Sequence, residues 1–307
     1  MTRLLILGAA GFAGGHLRSL AESEGMEVIG TARREGQAEL RCDLLDPGSI
    51  ERALLETQPG LIANCAGAAS VAASWKDPAG FLEVHETGTR NLLDEVADHA
   101  PSSRVLCISS GEVYGAVPES EQPTVEQRPV APANPYAESK VALERECARA
   151  GERGVNAVVA RPFSHTGPGQ TDAFAPSAFA RQVAEAELAG MDRARLSVGN
   201  LSPRRDFTDV RDIARAYVLM LAGRSHGPLN VCSGEAIPIS RLLELLDLNS
   251  KVTIETSTDE ERLRPVDVPL MCGSAQALRT ETGWRPEIPL ERTMGDLLQW
   301  WRERLAP

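Results

Sequence analysis

Residues 4–14 read LLILGAAGFAG, an apolar run followed by glycines at positions 8, 11 and 14. A short continuous apolar run is typical of a strand that is buried on both faces. The residues that follow predict a helix from about Phe12 to Glu22. A strand, a glycine turn and a helix in this order can hold a pyrophosphate on backbone N–H groups at the helix N-terminus. Ala10 stands where the commoner glycine fingerprint has its second glycine, but this is the first strand–helix turn of the chain, which favours a dinucleotide site.

The chain beyond this turn alternates between strand and helix patterns. Helix starts are marked by Asp46-Pro47, Asp77-Pro78 and Asn134-Pro135, and apolar strand patterns recur at residues 27–31, 61–64, 104–108 and 155–160. The alternation predicts an α/β protein with a Rossmann-type doubly wound parallel sheet, right-handed crossovers and helices on both faces. Ligands of such sheets bind beyond the carboxyl ends of the strands.

The pattern changes at about Ser164, where the loops lengthen and proline and glycine cluster at residues 166–169. We expect residues 1–163 to form the cofactor-binding Rossmann domain. Residues 164–307 are expected to form a smaller, mixed α/β region that binds the substrate. A helix pattern from Asp209 and a strand near residue 230 predict that residues 209–235 return to the main sheet.

The composition narrows the class of protein. Of the 307 residues 42% are apolar and 24% charged, which allows a large core and argues against wholesale disorder. A net charge of −11 argues against a nucleic-acid binder. The six cysteines form no CxxC pair, and no HExxH or Cys/His cluster occurs, so we expect reduced thiols and no metal site. No apolar run reaches membrane-spanning length, so we expect a cytoplasmic protein with no membrane partner.

Residues 134–140, NPYAESK, predict a helix that begins at Asn134 as N-cap, with Pro135 in its first position. Tyr136 and Lys140 then lie four residues apart on one face. An ammonium group beside a phenol lowers the phenol pKa, so the pair predicts a proton donor and acceptor near neutral pH. The alternative is an exposed Tyr and Lys on a surface helix.

With these pieces in order, the chain resembles the extended short-chain dehydrogenase/reductase family. The resemblance rests on the three glycines, on residues 64–67 (NCAG), on Ser109-Ser110 and on the Tyr136/Lys140 pair, and it runs nearly end to end. Residues 161–170 and 204–212 are similar to loops of the family's GDP-mannose 4,6-dehydratases and GDP-4-keto-6-deoxymannose reductases. The second segment and the short chain look more like the reductases.

This resemblance implies NADPH-dependent reduction of the 4-keto group of a GDP-4-keto-6-deoxyhexose. The substrate would be GDP-4-dehydro-6-deoxy-D-mannose, and the product GDP-D-rhamnose or its C4 epimer. Tyr136 would give a proton to the sugar oxygen, and Lys140 would hold the nicotinamide ribose and stabilise the tyrosinate. Ser110 would hydrogen-bond the carbonyl oxygen.

The resemblance also implies a set of cofactor contacts. Arg33 and Arg34 follow the second strand, where an arginine suits the 2′-phosphate of NADP(H), so we expect NADP(H) to be preferred and NAD(H) to be the second choice. The alternative is two exposed loop arginines. The expected cofactor-binding residues are Gly8, Gly11, Phe12, Ala13, Gly14, Arg33, Arg34, Asp43, Leu44, Ala66, Gly67, Lys140 and Pro162.

The nucleotide-diphosphate sugar is expected to bind opposite the Tyr136 helix. Trp75 either lines the sugar pocket or packs inside the fold. Arg205 and Arg264, with Arg204 and Arg262 nearby, are the candidates for contacts to the diphosphate, and the alternative for some of the four is a surface arginine that balances an acidic protein. His85 and Ser164 stand where relatives usually have Asn, which alters either substrate contact or local packing. The expected substrate-binding residues are Ser70, Ser110, Glu112, Ser164, Arg205 and Arg264.

Two alternative functions and the oligomeric state stay open at this point. Glu112 is the base in the dehydratases and is also kept in related reductases, so it does not separate reductase from dehydratase or epimerase with tightly bound NADP. A non-catalytic NADP(H) sensor is opposed by the intact Ser110, Tyr136 and Lys140. A homodimer is expected through helices at about 78–98 and 135–149, where Phe81, Leu82, Leu92, Leu93 and Val96 offer either an interface or a core.

Overall fold

A computed structural model describes residues 2–225, 227–262 and 268–306. Its strands, in chain order, are β1 (Arg3–Leu7), β2 (Glu27–Ala32), β3 (Leu40–Arg41), β4 (Leu61–Asn64), β5 (Arg104–Ile108), β6 (Asn156–Pro162), β7 (Ser164–Thr166), β8 (Arg193–Val198), β9 (Arg204–Asp209), β10 (Pro228–Val231), β11 (Ala236–Pro238), β12 (Thr253–Thr258) and β13 (Leu270–Met271).

The helices alternate with the strands in the first half of the chain and become more irregularly spaced after it. A π-helical turn at Glu83–Thr87 joins two of them into one long helix, and short 3₁₀ turns lie at Gly111–Tyr114, Glu119–Glu121 and Glu260–Arg262. The α-helices are α1 (Phe12–Ser23), α2 (Pro47–Thr57), α3 (Val71–Ser74), α4 (Pro78–Leu82), α5 (Gly88–His99), α6 (Pro135–Glu152), α7 (Ala175–Leu188), α8 (Val210–Ala222), α9 (Ser240–Asp247), α10 (Gln276–Thr282) and α11 (Leu290–Leu305).

The main sheet has seven strands in the order β10-β6-β5-β4-β1-β2-β3, and every neighbouring pair is parallel. Alternate residues of β1 enter different cores. Leu4 and Ile6 pack on the side of α1 and α8, and Leu5 and Leu7 pack on the side of α2, α5 and α6. The apolar run is therefore buried on both faces, and the predicted doubly wound parallel sheet is confirmed.

A second, smaller layer follows β6. Strand β9 pairs with β7, β11 and β13, and β8 pairs in parallel with β12. A third apolar core, which includes Phe179, Leu196 and Trp301, holds α7, α9 and α11 together. Helix α8 and strand β10 return to the main sheet. The functional division of the chain at residues 163 and 164 stays a prediction.

The apolar residues considered for a subunit interface lie largely inside the fold. Phe81, Leu92, Leu93 and Val96 are buried, with exposures of 0–6%, whereas Leu82 is 41% exposed. Their periodicity is therefore explained by packing within one subunit, and the outer surface of α5 and α6 is instead crossed by ion pairs of Arg90. In the part of the chain that the structure describes, no helix is long and apolar enough to cross a membrane.

Candidate active site

Helix α6 presents Tyr136 and Lys140 at the carboxyl end of the main sheet. The helix begins as predicted: the Asn134 side-chain oxygen accepts from the Ala137 N–H at 2.9 Å, and Pro135 occupies the first position. The Tyr136 N–H donates to the Ser74 hydroxyl at 3.1 Å. Because each backbone donor of the first turn is satisfied, the start of the helix is fixed in place.

Lys140 is buried under the end of β5. Its Nζ donates to the Ile108 carbonyl at 2.9 Å and lies 5.7 Å from the centroid of the Tyr136 ring. Burial lowers the pKa of Lys140 to about 8. Only 6% of Lys140 and 8% of Tyr136 is exposed, so the alternative of a solvated surface pair is excluded.

The direction of the Tyr136 pKa differs from the one that the Tyr–Lys spacing predicts. Burial raises the pKa of Tyr136 well above its ordinary value, a hydrogen bond with Ser110 lowers it, and the Glu112 carboxylate raises it again. Desolvation of the buried phenolate is the largest effect on the pKa of Tyr136, and its direction is opposite to the predicted lowering, which is therefore wrong. The raised pKa of Tyr136 favours the protonated phenol, which is the form that can donate a proton.

Ser110 and Glu112 lie opposite Tyr136, where β5 ends in the 3₁₀ turn. The Ser110 hydroxyl oxygen accepts from the Glu112 N–H at 3.2 Å, and Glu112 Oε2 accepts from the Asn134 amide at 3.1 Å. The structure therefore brings the four residues predicted to be catalytic, Ser110, Glu112, Tyr136 and Lys140, into one site.

The glycine turn fits a dinucleotide pyrophosphate. Gly8 has φ +79°, and a Cβ there would lie 2.9 Å from Ala66. A Cβ on Gly14 would lie 2.3 Å from the Gly8 carbonyl oxygen. Gly11 is the N-cap of α1 and supplies no side-chain cap, and the first turn has no acidic residue. The open N–H groups and the positive end of the helix dipole can receive a phosphate.

The other predicted cofactor residues lie along the same edge of the sheet. Arg33 and Arg34 are exposed directly after β2, and Asp43 Oδ1 accepts from the Leu45 N–H at 3.1 Å beyond β3. The Ala66 N–H donates to Asn64 Oδ1 at 3.3 Å after β4. Of the rest, Phe12 and Ala13 open α1, Leu44 and Pro162 are buried, and Gly67 has φ +123°.

The predicted substrate residues lie on several different elements, and the structure shows fewer contacts among them than among the catalytic residues. Ser70 is the N-cap of α3 and accepts from the Ala73 N–H at 3.2 Å, and Ser164 opens β7. Arg205 is buried in β9 and donates to the Arg204 carbonyl at 3.0 Å. Trp75 ends α3 and is 42% exposed. Arg264 lies outside the described residues.

Comparison with known proteins gives the family. The model of the NAD dependent epimerase/dehydratase family matches residues 4–232. The chain belongs to this family. It is 37% identical over 305 residues to a GDP-6-deoxy-D-mannose reductase of Pseudomonas aeruginosa, which covers 99% of this chain and 98% of the relative. A GDP-mannose 4,6 dehydratase of Arabidopsis thaliana is 26% identical, over 94% of this chain and 83% of the relative.

A solved structure confirms the fold class of this epimerase/dehydratase family member. RMD from Pseudomonas aeruginosa complexed with NADPH matches with a TM-score of 0.90 and 36% identity, over 99% of this chain and 100% of that chain. The resemblance to the extended short-chain dehydrogenase/reductases is likewise confirmed.

Sequence reasoning missed a buried ion pair beneath the site of this family member. Arg161 donates to both oxygens of Glu144, at 2.8 and 2.6 Å. Ser109, directly before Ser110, donates to Glu144 Oε1 at 2.5 Å. The available signal was the spacing, since Glu144 follows Lys140 by four residues and so shares its helix face. The pair ties the ends of β5 and β6 to α6.

His85 packs against the same helix. Its Nδ1 lies 2.7 Å from the Ser139 hydroxyl, which itself donates to the Tyr136 carbonyl at 2.7 Å. His85 therefore donates from Nδ1. A Cβ on Gly67 would lie 2.6 Å from His85 Nε2. These contacts account for His85 as a packing residue that supports the turn after β4.

Proposed function

We propose that the protein uses NADPH to reduce the 4-keto group of a GDP-4-keto-6-deoxyhexose. The substrate of this reaction is GDP-4-dehydro-6-deoxy-D-mannose, and the product is GDP-D-rhamnose or its C4 epimer. The observation that carries the proposal is the placement of the Tyr136 phenol beside Ser110 and Lys140 at the end of β5, because reduction of a ketone needs a proton donor at the oxygen. Full-length similarity to a GDP-6-deoxy-D-mannose reductase supports the choice of sugar nucleotide.

The residues of the site would divide the work as follows. The glycine turn and the start of α1 would hold NADPH, which supplies the hydride when bound. Ser110 would orient the keto oxygen against the Tyr136 hydroxyl, and Tyr136 would give its proton to that oxygen as negative charge develops. Lys140, fixed by the Ile108 carbonyl, would stabilise the tyrosinate that remains.

The test measures NADPH oxidation with and without the keto sugar. We expect absorbance at the NADPH band to fall only when GDP-4-dehydro-6-deoxy-D-mannose is added. GDP-mannose alone, with no added NADPH, should give no product. Conversion of GDP-mannose under those conditions would contradict the reductase proposal.

The second candidate is a GDP-mannose 4,6-dehydratase, or a related epimerase, that recycles tightly bound NADP. It is favoured by one observation, the Glu112 carboxylate beside Tyr136, because a base next to a ketone can remove an adjacent carbon-bound proton. The GDP-mannose experiment separates this candidate from the reductase, since only the dehydratase acts on GDP-mannose itself.

Preference for NADPH is assigned to Arg33 and Arg34. Both side chains are exposed where the 2′-phosphate of a dinucleotide is expected, and guanidinium groups bind phosphate well. Replacing both by Ala should raise the Kd of NADPH at least tenfold and leave that of NADH within about twofold, because only NADPH loses a charge-assisted contact. The control is Arg193→Ala with Arg195→Ala on β8. Equal weakening of both cofactors would contradict the assignment.

The sugar nucleotide is assigned to Ser70, Ser110, Glu112, Ser164, Arg205 and Arg264. The last two would contact the diphosphate. Two other arginines weighed for this role are engaged elsewhere: Arg204 pairs with Glu119 at 2.7 Å, and Arg262 pairs with Asp259 at 3.3 Å. We further propose that the protein is a homodimer and acts in the cytoplasm. Light scattering at micromolar concentration would measure the number of subunits.

A further inference from the structure

Three hydrogen bonds connect Ser110 and Glu112 of the proposed keto-group site with the start of helix α6. Ser110 accepts from the Glu112 N–H, and the Glu112 side chain accepts from Asn134. Asn134 in turn accepts from the Ala137 N–H of the helix that carries Tyr136. Tyr136, the residue before Ala137, lies beside Ser110. Ser110, Glu112 and Tyr136 already have roles in the two candidate reactions, and Asn134 does not.

Capping alone does not account for an asparagine at this position. Helices α2 and α4 also begin with a cap residue followed by proline, and there Asp46 and Asp77 serve as caps. Asp, Ser and Asn cap a helix about equally well. Asp has no side-chain donor, and the Ser hydroxyl lies one atom nearer the backbone than the Asn amide, whereas the Asn134 amide donates to Glu112 at 3.1 Å.

We propose that Asn134 is a positioning residue that holds the Glu112 carboxylate in register with Tyr136 and Ser110. Glu112 Oε2 is bound by Asn134, and among the described residues Oε1 has no donor, so this oxygen is open to a hydroxyl group of the sugar. The sugar would then be held at a set distance from the proton donor. The inference rests on the proposed reduction of a keto sugar.

Two substitutions separate positioning from capping. Asn134→Asp keeps a cap acceptor and has no side-chain donor for Glu112. Asn134→Ser keeps a cap acceptor and replaces the amide by a hydroxyl on a side chain one atom shorter, which weakens the bond to Glu112. Because the cap is retained, the melting temperature should stay within about 2 °C. A misplaced sugar should raise the KM for the keto sugar or lower kcat about tenfold, while the KM for NADPH stays within about twofold. The control is Asp46→Asn, a cap exchange on α2, which should change none of these values.

The route through Glu112 is tested by repeating Asn134→Ser in a Glu112→Gln background. If Asn134 acts through the carboxylate, its substitution should change kcat/KM by less than about threefold there, instead of about tenfold. An equal effect in both backgrounds, or folded variants with unchanged kcat and KM, would overturn the inference. So would unfolding of both Asn134 variants, because it would make the residue a folding element.

Failure of the proposed function would look different. If the wild-type protein does not oxidise NADPH with the keto sugar, the reductase proposal is wrong whatever the variants do. Asn134 is then judged by the Kd of GDP-mannose, measured calorimetrically on the NADP-loaded protein. A Kd that rises at least fivefold in Asn134→Ser upholds the positioning role, and an unchanged Kd overturns it.

Discussion

At the scale of single residues, the pKa of Tyr136 differs in direction from the one that its spacing from Lys140 predicts. A tyrosine next to a lysine is expected to have a lowered pKa, yet burial raises the pKa of Tyr136 and so favours the protonated phenol. Tyr136→Phe removes the proton donor and retains the ring, so kcat for the keto sugar should fall about 10²- to 10⁴-fold. NADPH binding should be unchanged by fluorescence titration. Tyr114→Phe is the control for losing a buried tyrosine hydroxyl, and a kcat for Tyr136→Phe equal to that of wild type would exclude the mechanism.

The lowered pKa of Lys140 predicts how the proposed reduction depends on pH. Its pKa is about 8 instead of 10.5, so the ammonium is present below pH 8 and is lost as the pH rises through that value. We expect kcat/KM for the keto sugar to fall above about pH 8, and Lys140→Arg, which stays charged, to remove the fall while lowering the overall rate.

The free energy of unfolding should rise over the pH range in which kcat/KM falls. Between pH 8 and 10.5 the unfolded chain binds more protons at Lys140 than the folded chain does, so this group raises the free energy of unfolding with increasing pH. A loss of activity that ran parallel to a loss of structure, followed by circular dichroism, would therefore contradict the assignment to Lys140.

At the scale of elements, the N-termini of α1 and α6 differ in how their backbone N–H groups are bound. The start of α6 is closed by Asn134 and Ser74, whereas the start of α1 is capped only by the backbone of Gly11. A Cβ at Gly14 would meet the Gly8 carbonyl oxygen at 2.3 Å, but one at Gly15 would meet nothing closer than 3.7 Å.

These distances predict opposite results for neighbouring substitutions. Gly14→Ala should push α1 away from the glycine turn, raise the Kd of NADPH more than about tenfold and lower the melting temperature. Gly15→Ala should leave NADPH binding unchanged and stabilise the protein by up to ~1 kcal/mol, because alanine has the higher helix propensity. Similar effects of the two substitutions on NADPH binding would show that the turn is not the phosphate site.

The elements also show what sequence could and could not reveal. The strand β1, the glycine turn and the start of α6 follow from local patterns of apolar residues, glycines and caps, and all were predicted. The Glu144–Arg161 pair joins residues 17 apart, on α6 and β6, and the Glu112–Asn134 bond joins residues 22 apart. Such pairs depend on how the elements pack. The spacing of Glu144 from Lys140 marks its helix face, but no local pattern of residues identifies the partner of either carboxylate.

At the scale of the whole molecule, α1 links the cofactor turn to the segment that follows β6. The Phe12 ring stacks on His165, with centroids 6.0 Å apart and planes inclined by 6°. His16 Nε2 lies 2.7 Å from the Pro168 carbonyl oxygen. Phe12 is itself assigned to the cofactor, and His165 adjoins Ser164, which is assigned to the sugar. A ligand that orders one of these segments should therefore help to order the other.

This contact predicts that the two ligands bind cooperatively. With NADP and GDP each at 100 times its Kd, either ligand alone should stabilise the protein by about 2.7 kcal/mol. With both present, the Kd of GDP should fall about fivefold, which corresponds to a coupling free energy of about 1 kcal/mol. In His16→Ala the contact with Pro168 is lost, so the coupling should shrink while the Kd of NADP alone changes less than about twofold. Calorimetric titration of GDP into the free and the NADP-loaded protein measures the change in the Kd of GDP. An identical Kd in the two wild-type titrations would show that the two sites are not coupled through α1.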